Sequence, residues 1–125
     1  MTLSEIYLKA AQVIESNGHA QGDFYSIPES CVGIERTRSE YPVCAGGALS
    51  IALFGDPVPP REGTDGRAEF DVAVSRVNAR IDNPHLYGFQ GEAPVMRLAG
   101  WNDATERTAA DVIALFERTA REVAA

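Results

Sequence analysis

Four residues of the chain carry side chains that can cooperate in nucleophilic catalysis: Cys44, His85, Asn102 and Asp103. Cys44 lies at the predicted start of a buried helix, where unpaired N–H groups and the macrodipole stabilise a thiolate. A histidine, His85 or His19, would act as the base, and the amide or carboxylate at 102 or 103 would orient it. Nothing in the sequence places these groups together, and a free cysteine between apolar neighbours is more often a small buried residue. The catalytic hypothesis predicts a depressed pKa of the Cys44 thiol.

The triplet Trp101-Asn102-Asp103 lies ahead of the predicted last helix. A lone Trp ring can stack on a ligand, but an aromatic residue just before a helix more often packs back on the core. Asn and Asp then form the turn, and a carboxylate near a helix start is stabilised by the helix dipole. The sequence favours a structural corner at these residues over a binding site.

The motifs indicate no metal or cofactor site. The ligand types of a structural zinc site are present, but eleven or more residues separate each from the next: His19, Cys31, Cys44 and His85. Zinc modules instead bring their ligands in close pairs. The Gly-Gly at positions 46 and 47 lacks the lysine and spacing of a phosphate loop, and no dinucleotide motif is present. We expect no metal, no cofactor and, in a reducing compartment, two free thiols.

The formal charge of −7 is spread along the chain, since residues 1–60 carry 3 basic and 7 acidic groups and residues 61–125 carry 8 and 11. Nucleic-acid binding depends largely on Lys and Arg that neutralise phosphates, so direct DNA or RNA binding is not expected. An acidic chain can instead imitate nucleic acid and occupy a basic protein, although modest acidity usually serves solubility.

Length and composition indicate one domain without a membrane span. The chain of 125 residues suffices for a single hydrophobic core, and its 45% hydrophobic and 23% charged residues are ordinary values for a globular protein. No apolar run reaches the ~18 residues of a membrane span, and the N-terminus lacks a signal-peptide pattern. We expect residues 1–125 to form a single helical domain in the cytoplasm.

Hydrophobic periodicity predicts a mainly α fold, a compact bundle of about four helices with a short extended or hairpin segment between the first two. The predicted helices cover residues 3–16, the apolar segment after Pro42, residues 67–81, and a last helix that Thr108 opens. Residues 94–99 add one or two helical turns. Residues 23–36 contain β-branched and aromatic residues, and the sequence leaves open whether they pair as a hairpin.

Local signals mark several helix boundaries. Thr2 with Glu5, and Thr108 with Asp111, fit capping boxes. The small residues at positions 45–48 of the central helix predict that another helix approaches it closely.

Three segments of the chain, GHAQGDFY, VCAGGAL and WNDATERTAADVIALFERTA, together resemble a family of small proteins of unknown function from actinobacteria and their phages. The pattern of that family is a helix followed by Gly-x-x-Gln-Gly, a Cys-Ala-x-Gly-Ala core helix, and a Trp-Asn-Asp turn before Arg-Thr-Ala-x-x-Val. The chain departs from it at His19, where Trp is usual, and in a longer segment before Cys44. The resemblance implies no reaction, and its matching positions are Gln21, Gly22, Cys44, Ala45, Gly47, Ala48, Trp101, Asn102, Asp103, Arg107, Thr108 and Val112.

Three hypotheses about function follow, and the sequence favours the first. It is that a small bacterial or phage protein binds another protein through the 56–66 loop and the corner at Trp101. The residues proposed for that corner are Gln21, Trp101, Asn102, Asp103, Arg107 and Thr108. The second hypothesis is a cysteine-dependent enzyme that uses Cys44 with His85, and the third is an acidic nucleic-acid mimic.

Overall fold

A computed structural model describes residues 1–33 and 36–124 of the chain. The described residues form five α-helices and contain no β-strand. The helices are α1 (Leu3–Asn17), α2 (Ala45–Phe54), α3 (Asp65–Asn78), α4 (Pro94–Asn102) and α5 (Ala109–Ala124). Three short 3-10 turns cover Glu29–Cys31, Arg38–Glu40 and Pro84–Leu86. The mainly helical prediction is confirmed, and the helix added to the predicted four is α4, which continues beyond residues 94–99 to residue 102.

The capping residues start helices where the sequence predicts. The Thr2 hydroxyl accepts a hydrogen bond from the Glu5 N–H at 3.2 Å and starts α1. At α5 the box is reciprocal, because the Asp111 N–H donates to the Thr108 hydroxyl at 3.2 Å and the Thr108 N–H donates to the Asp111 carboxylate at 3.0 Å. These bonds satisfy N–H groups that have no partner inside the helix.

Helix α1 packs against both α5 and α2, and α3 and α4, which pack on each other and on α2, complete the core. Helix α2 is apolar on every side, and its residues 45–52 are all buried. The Tyr7 hydroxyl joins α1 to α3 by donating a hydrogen bond to the Ala73 carbonyl at 2.7 Å. Burial raises the pKa of Tyr7 to about 12, because the phenolate would lose its hydration.

The segment between α1 and α2 folds around Val43 rather than pairing with itself. Val43 forms isolated bridges with His19 on one side and Tyr25 on the other. The Ala20 N–H donates to the Val43 carbonyl at 2.9 Å, and the Cys44 N–H donates to the Phe24 carbonyl at 3.2 Å. No hairpin forms among the described residues of the 23–36 segment, and Ile34 and Glu35 lie outside the described residues.

Two predictions about close packing and boundaries need correction. The close approach of a helix is found at Gly46, where a Cβ would lie 3.5 Å from the Val95 Cγ2 of α4, but not at Gly47, where a Cβ would meet the Phe24 carbonyl oxygen. The Trp101-Asn102-Asp103 triplet ends α4 rather than preceding α5, and Asp103 is its C-cap. The reason is that Pro94 starts the helix at its first position and Trp101 continues the buried stripe of Val95 and Leu98.

None of the helices in residues 1–33 and 36–124 is both long enough and apolar enough to cross a membrane.

Candidate functional site

The side-chain amide of Asn102 joins three separate segments of the chain. Asn102 is fully buried. Its Oδ1 accepts a hydrogen bond from the Ala45 N–H at 2.9 Å and lies 2.9 Å from the His19 Nε2. Its Nδ2 donates to the Ala20 carbonyl and to the Asp103 Oδ1, both at 3.0 Å. Every polar atom of this buried amide is therefore hydrogen-bonded, which is what burial of an amide requires.

These partners determine the orientation of the amide and the tautomer of His19. The Nδ2 of Asn102 must face two oxygen acceptors, so the Oδ1 must face the Ala45 N–H and the imidazole. An oxygen cannot donate, so the His19 Nε2 carries a proton and donates it to Oδ1. His19 stands where Trp is usual in the resembled pattern, and its Nε2 is one of the two donors to the Asn102 Oδ1. The contacts of the Asn102 amide with His19, Ala20, Ala45 and Asp103 are here called the junction.

Gln21 and Gly22 bind the C-terminal end of α4. The Gln21 side-chain amide donates to the carbonyl of Asn102 at 3.0 Å and to the carbonyl of Ala104 at 2.9 Å. The Gly22 N–H donates to the Asp103 Oδ1 at 3.0 Å. The last carbonyls of a helix have no partner within the helix, so this segment caps α4 from outside.

Arg107 closes the other side of the corner. Its Nε donates to the Trp101 carbonyl at 2.8 Å, and its guanidinium carbon lies 4.1 Å from the centroid of the Trp101 ring. Its Nη2 also donates to the Tyr87 hydroxyl at 3.2 Å. Trp101 is 7% exposed, so its ring is covered by Arg107 and the core rather than offered to a ligand.

The Cys44 thiol is the N-cap of α2 and is buried. Its Sγ accepts a hydrogen bond from the Gly47 N–H at 3.3 Å. Burial raises the pKa of Cys44 to about 11, and the nearby Asp103 carboxylate acts in the same direction. The N–H groups at the helix start lower the pKa by less than burial raises it. The depressed pKa that the catalytic hypothesis predicts is therefore absent, because desolvation of the thiolate outweighs the helix N-terminus.

The structure does not bring His85 to Cys44. His85 lies exposed in the Pro84–Leu86 turn, and the imidazole that contacts Asn102 belongs to His19. Cys31 is a second free thiol, half-buried at the end of the Glu29–Cys31 turn. Within residues 1–33 and 36–124, no three His, Cys, Asp or Glu side chains are grouped as metal ligands would be.

Beside the junction is a cleft of about 300 Å³ between α4 and the segment that joins α1 to α2, here called the α4 cleft. Its walls are mostly apolar and include Phe24, Val95 and Met96, and the Cys44 and Asp103 side chains reach it. Met96 is 53% exposed at the mouth. Asp103 is exposed and uses one carboxylate oxygen, Oδ1, for the junction. No pattern in the sequence predicts this cleft, because its walls come from three segments that only the junction brings together.

A family model described as "Family of unknown function (DUF6197)" matches residues 1–122. The chain therefore belongs to this family, and, as the resemblance of its three segments implied, the family is one of unknown function. The comparisons with curated proteins and with solved structures gave no match.

Proposed function

We propose that this member of the DUF6197 family is a small protein-binding module, and that its α4 cleft takes one apolar side chain that is followed in the partner by a basic residue. The observation that carries the proposal is the α4 cleft itself, a mostly apolar cavity with a carboxylate at its edge. A partner side chain removes apolar surface from water on entering it. A neighbouring Lys or Arg of the partner would then lie close to Asp103 and Asp23.

The size and the chemistry of the α4 cleft favour a side chain over a substrate. About 300 Å³ is the lower end of the range for small-molecule sites. The Cys44 thiol in its wall is held in the neutral form by burial, and a neutral thiol is a weak nucleophile. Met96 at the mouth is flexible and polarizable, a property that suits the contact surfaces of binding proteins.

The binding surface proposed here replaces the one favoured by the sequence. In the 56–66 loop, Pro57 and Pro59 are buried, and the Asp56 carboxylate forms an ion pair with Arg38. Trp101 is covered by Arg107. The α4 cleft lies beside that corner and is open, so the corner residues would support the binding surface rather than contact the partner.

A peptide titration tests the proposal. The probes are N-acetyl-Leu-Arg-amide and N-acetyl-Leu-Gln-amide, followed by amide chemical shifts of the full chain. We expect shifts at Gly22, Phe24 and Met96, with weaker binding of the Gln peptide because it lacks the charge that Asp103 attracts. An unperturbed α4 cleft at millimolar concentrations of both peptides would contradict the proposal.

Matched variants separate this site from general hydrophobic binding. Met96→Glu places a charge at the mouth of the α4 cleft, and Val72→Glu places the same charge on α3, at a valine of similar exposure. Only Met96→Glu should abolish the shifts. Asp103→Asn keeps the Oδ1 acceptor of the junction and should remove the preference for the Arg peptide.

The natural partner is proposed to be a cytoplasmic protein of an actinobacterial host. The three segments that resemble proteins of actinobacteria and their phages support that choice. The wild-type chain, Val72→Glu and Met96→Glu are each used to capture proteins from an actinobacterial lysate. A protein captured by the first two but not by Met96→Glu would be the expected ligand of the α4 cleft.

A further inference from the structure

On the other side of α4 lies a second and larger cavity of about 620 Å³. It is bounded by the C-terminal half of α3, by the connection of residues 84–93 and by the start of α4. We call it the Arg97 cavity. The Arg97 cavity shares no lining residue with the α4 cleft, so a ligand of this cavity can be tested independently of the proposed function.

Arg97 is a cation in the wall of this cavity without an ion-pair partner there. Elsewhere in the chain, Arg38, Arg67, Arg80 and Arg118 each pair with a carboxylate. Across residues 1–33 and 36–124, no carboxylate oxygen lies within 4.0 Å of Arg97, and its buried Nε makes no hydrogen bond. A partly buried guanidinium gains most from an anion that accepts two of its N–H groups in parallel.

Asn78 adds an acceptor to the same wall. Its Nδ2 donates to the Pro94 carbonyl at 2.8 Å, which orients the amide and directs its oxygen elsewhere. The Asn78 Oδ1 is buried and receives no hydrogen bond from any described residue. A buried acceptor without a donor carries a free-energy cost, which an N–H group of a bound molecule would remove.

The connection between α3 and α4 supplies an apolar surface. Phe89 is 81% exposed and lines the cavity, and Leu86 on the same connection is 64% exposed. The carboxylate of Glu92 also lines the cavity, but its Oε1 already accepts a hydrogen bond from the Phe89 N–H at 3.0 Å. The Glu92 carboxylate therefore stabilises the turn that presents the ring.

We propose that the Arg97 cavity binds a carboxylate that carries an adjacent amide N–H and an apolar side chain. The carboxylate accepts hydrogen bonds from Arg97, the N–H donates to the Asn78 Oδ1, and the apolar group packs on Phe89. This chemistry is that of an N-acylated apolar amino acid or of the C-terminal residue of a peptide.

The test is a titration of the full chain with N-acetyl-phenylalanine, followed by amide chemical shifts. We expect shifts at residues 75–79 and 88–97 and at least tenfold weaker binding of the methyl ester, which lacks the carboxylate charge. N-acetyl-N-methyl-phenylalanine, which lacks the N–H, should also bind more weakly. Equal binding of the acid and the ester would overturn the proposal. So would the absence of any binding of the acid at about 20 mM, a concentration high enough to detect a weak fragment.

Variants locate the effect. Arg97→Gln should weaken binding of the acid at least tenfold and leave the ester unchanged. Arg61→Gln removes the same charge from an exposed position and should change neither. Phe89→Ala, at an exposed position, should weaken both. If Arg97→Gln does not fold, the comparison of acid and ester on the wild-type chain decides the question alone.

A tetrapeptide that ends in phenylalanine distinguishes the two sources of this chemistry. Binding tighter than that of N-acetyl-phenylalanine identifies a peptide C-terminus as the ligand. Binding confined to the single amino acid identifies a small molecule. Equal affinity for the tetrapeptide and for N-acetyl-phenylalanine supports the carboxylate site and shows that the cavity recognises only the terminal residue.

Discussion

Replacing Asn102 with Ala tests whether the buried junction holds the fold together. The substitution removes four hydrogen bonds and leaves the Ala45 N–H and the Ala20 carbonyl buried without partners. His19 and Asp103 are more accessible, and water can replace their lost bonds. Each buried unsatisfied group costs about 1–3 kcal/mol, so the free energy of unfolding should fall by about 2–6 kcal/mol. That is a large share of the ~5–15 kcal/mol typical of a domain.

Asn17→Ala is the matched control for Asn102→Ala. The Asn17 side chain donates to the carbonyls of Ser39 and Tyr41 at 2.7 and 3.1 Å, but it is only half-buried. Its loss should cost about 1 kcal/mol, because the freed carbonyls regain water more easily. Both variants make the same Asn-to-Ala change in helix propensity at the last residue of a helix, and both leave the charge of the chain unchanged.

The assay is urea denaturation followed by far-ultraviolet circular dichroism, with Trp101 fluorescence as a second probe of the junction. Coincident transitions would show that unfolding is two-state and that the midpoints can be compared. We expect a clearly lower midpoint for Asn102→Ala than for Asn17→Ala. Equal midpoints, or a loss below about 1 kcal/mol at Asn102, would refute the argument that this junction organises the chain.

Three further predictions follow from the geometry of single residues. With Cys31 replaced by Ser, alkylation of Cys44 by iodoacetamide should stay slow up to pH 9 and become fast only on unfolding, since burial raises the pKa of Cys44 to about 11. A fast phase of alkylation with an inflection below pH 8 would contradict this. Gly47→Ala should lower the free energy of unfolding more than Gly46→Ala does. The added Cβ at Gly47 would meet a backbone carbonyl oxygen, whereas at Gly46 it would meet a movable ring edge at 3.3 Å. Equal losses of unfolding free energy in urea denaturation would count against the close approach. The pKa of Tyr7, raised to about 12 in the folded state, predicts that the contribution of this residue to stability is complete below pH 10 and is lost progressively between pH 10 and 12. The raised pKa of Cys44 adds a separate loss that begins near pH 9. Tyr7→Phe should therefore flatten only the decline between pH 10 and 12 in thermal melts recorded across this range.

The parts of this fold that the sequence predicts are those set by local chemistry. The capping boxes at Thr2 and Thr108 act over three residues, so the residue types alone determine where α1 and α5 begin. The length of α4 was not predicted because Gly100 lowers helix propensity locally. In the structure, a Cβ at Gly100 would lie 2.5 Å from the Tyr87 carbonyl oxygen, so the glycine is required by packing and does not end the helix.

The junction depends on contacts that no local pattern encodes. His19 and Asn102 are 83 residues apart and meet only after α1, α2 and α4 have packed. The catalytic hypothesis named His85 or His19 as the base, with Asn102 or Asp103 to orient it, because sequence cannot show which histidine approaches this corner. The rise in the pKa of Cys44 has the same origin, since the helix start is visible in the sequence and the depth of burial is not.

These contacts also bear on where a partner could bind. Gln21, Asn102 and Arg107, three of the positions that carry the resemblance, direct their polar groups to other parts of the same chain. A side chain whose hydrogen bonds are already made inside the protein has little left to offer a ligand, so these residues explain a fold better than an activity. Among the groups that remain available are Met96 on one side of α4 and Arg97 on the other. Helix α4, which the sequence barely predicts, is therefore the element from which we expect this protein to act.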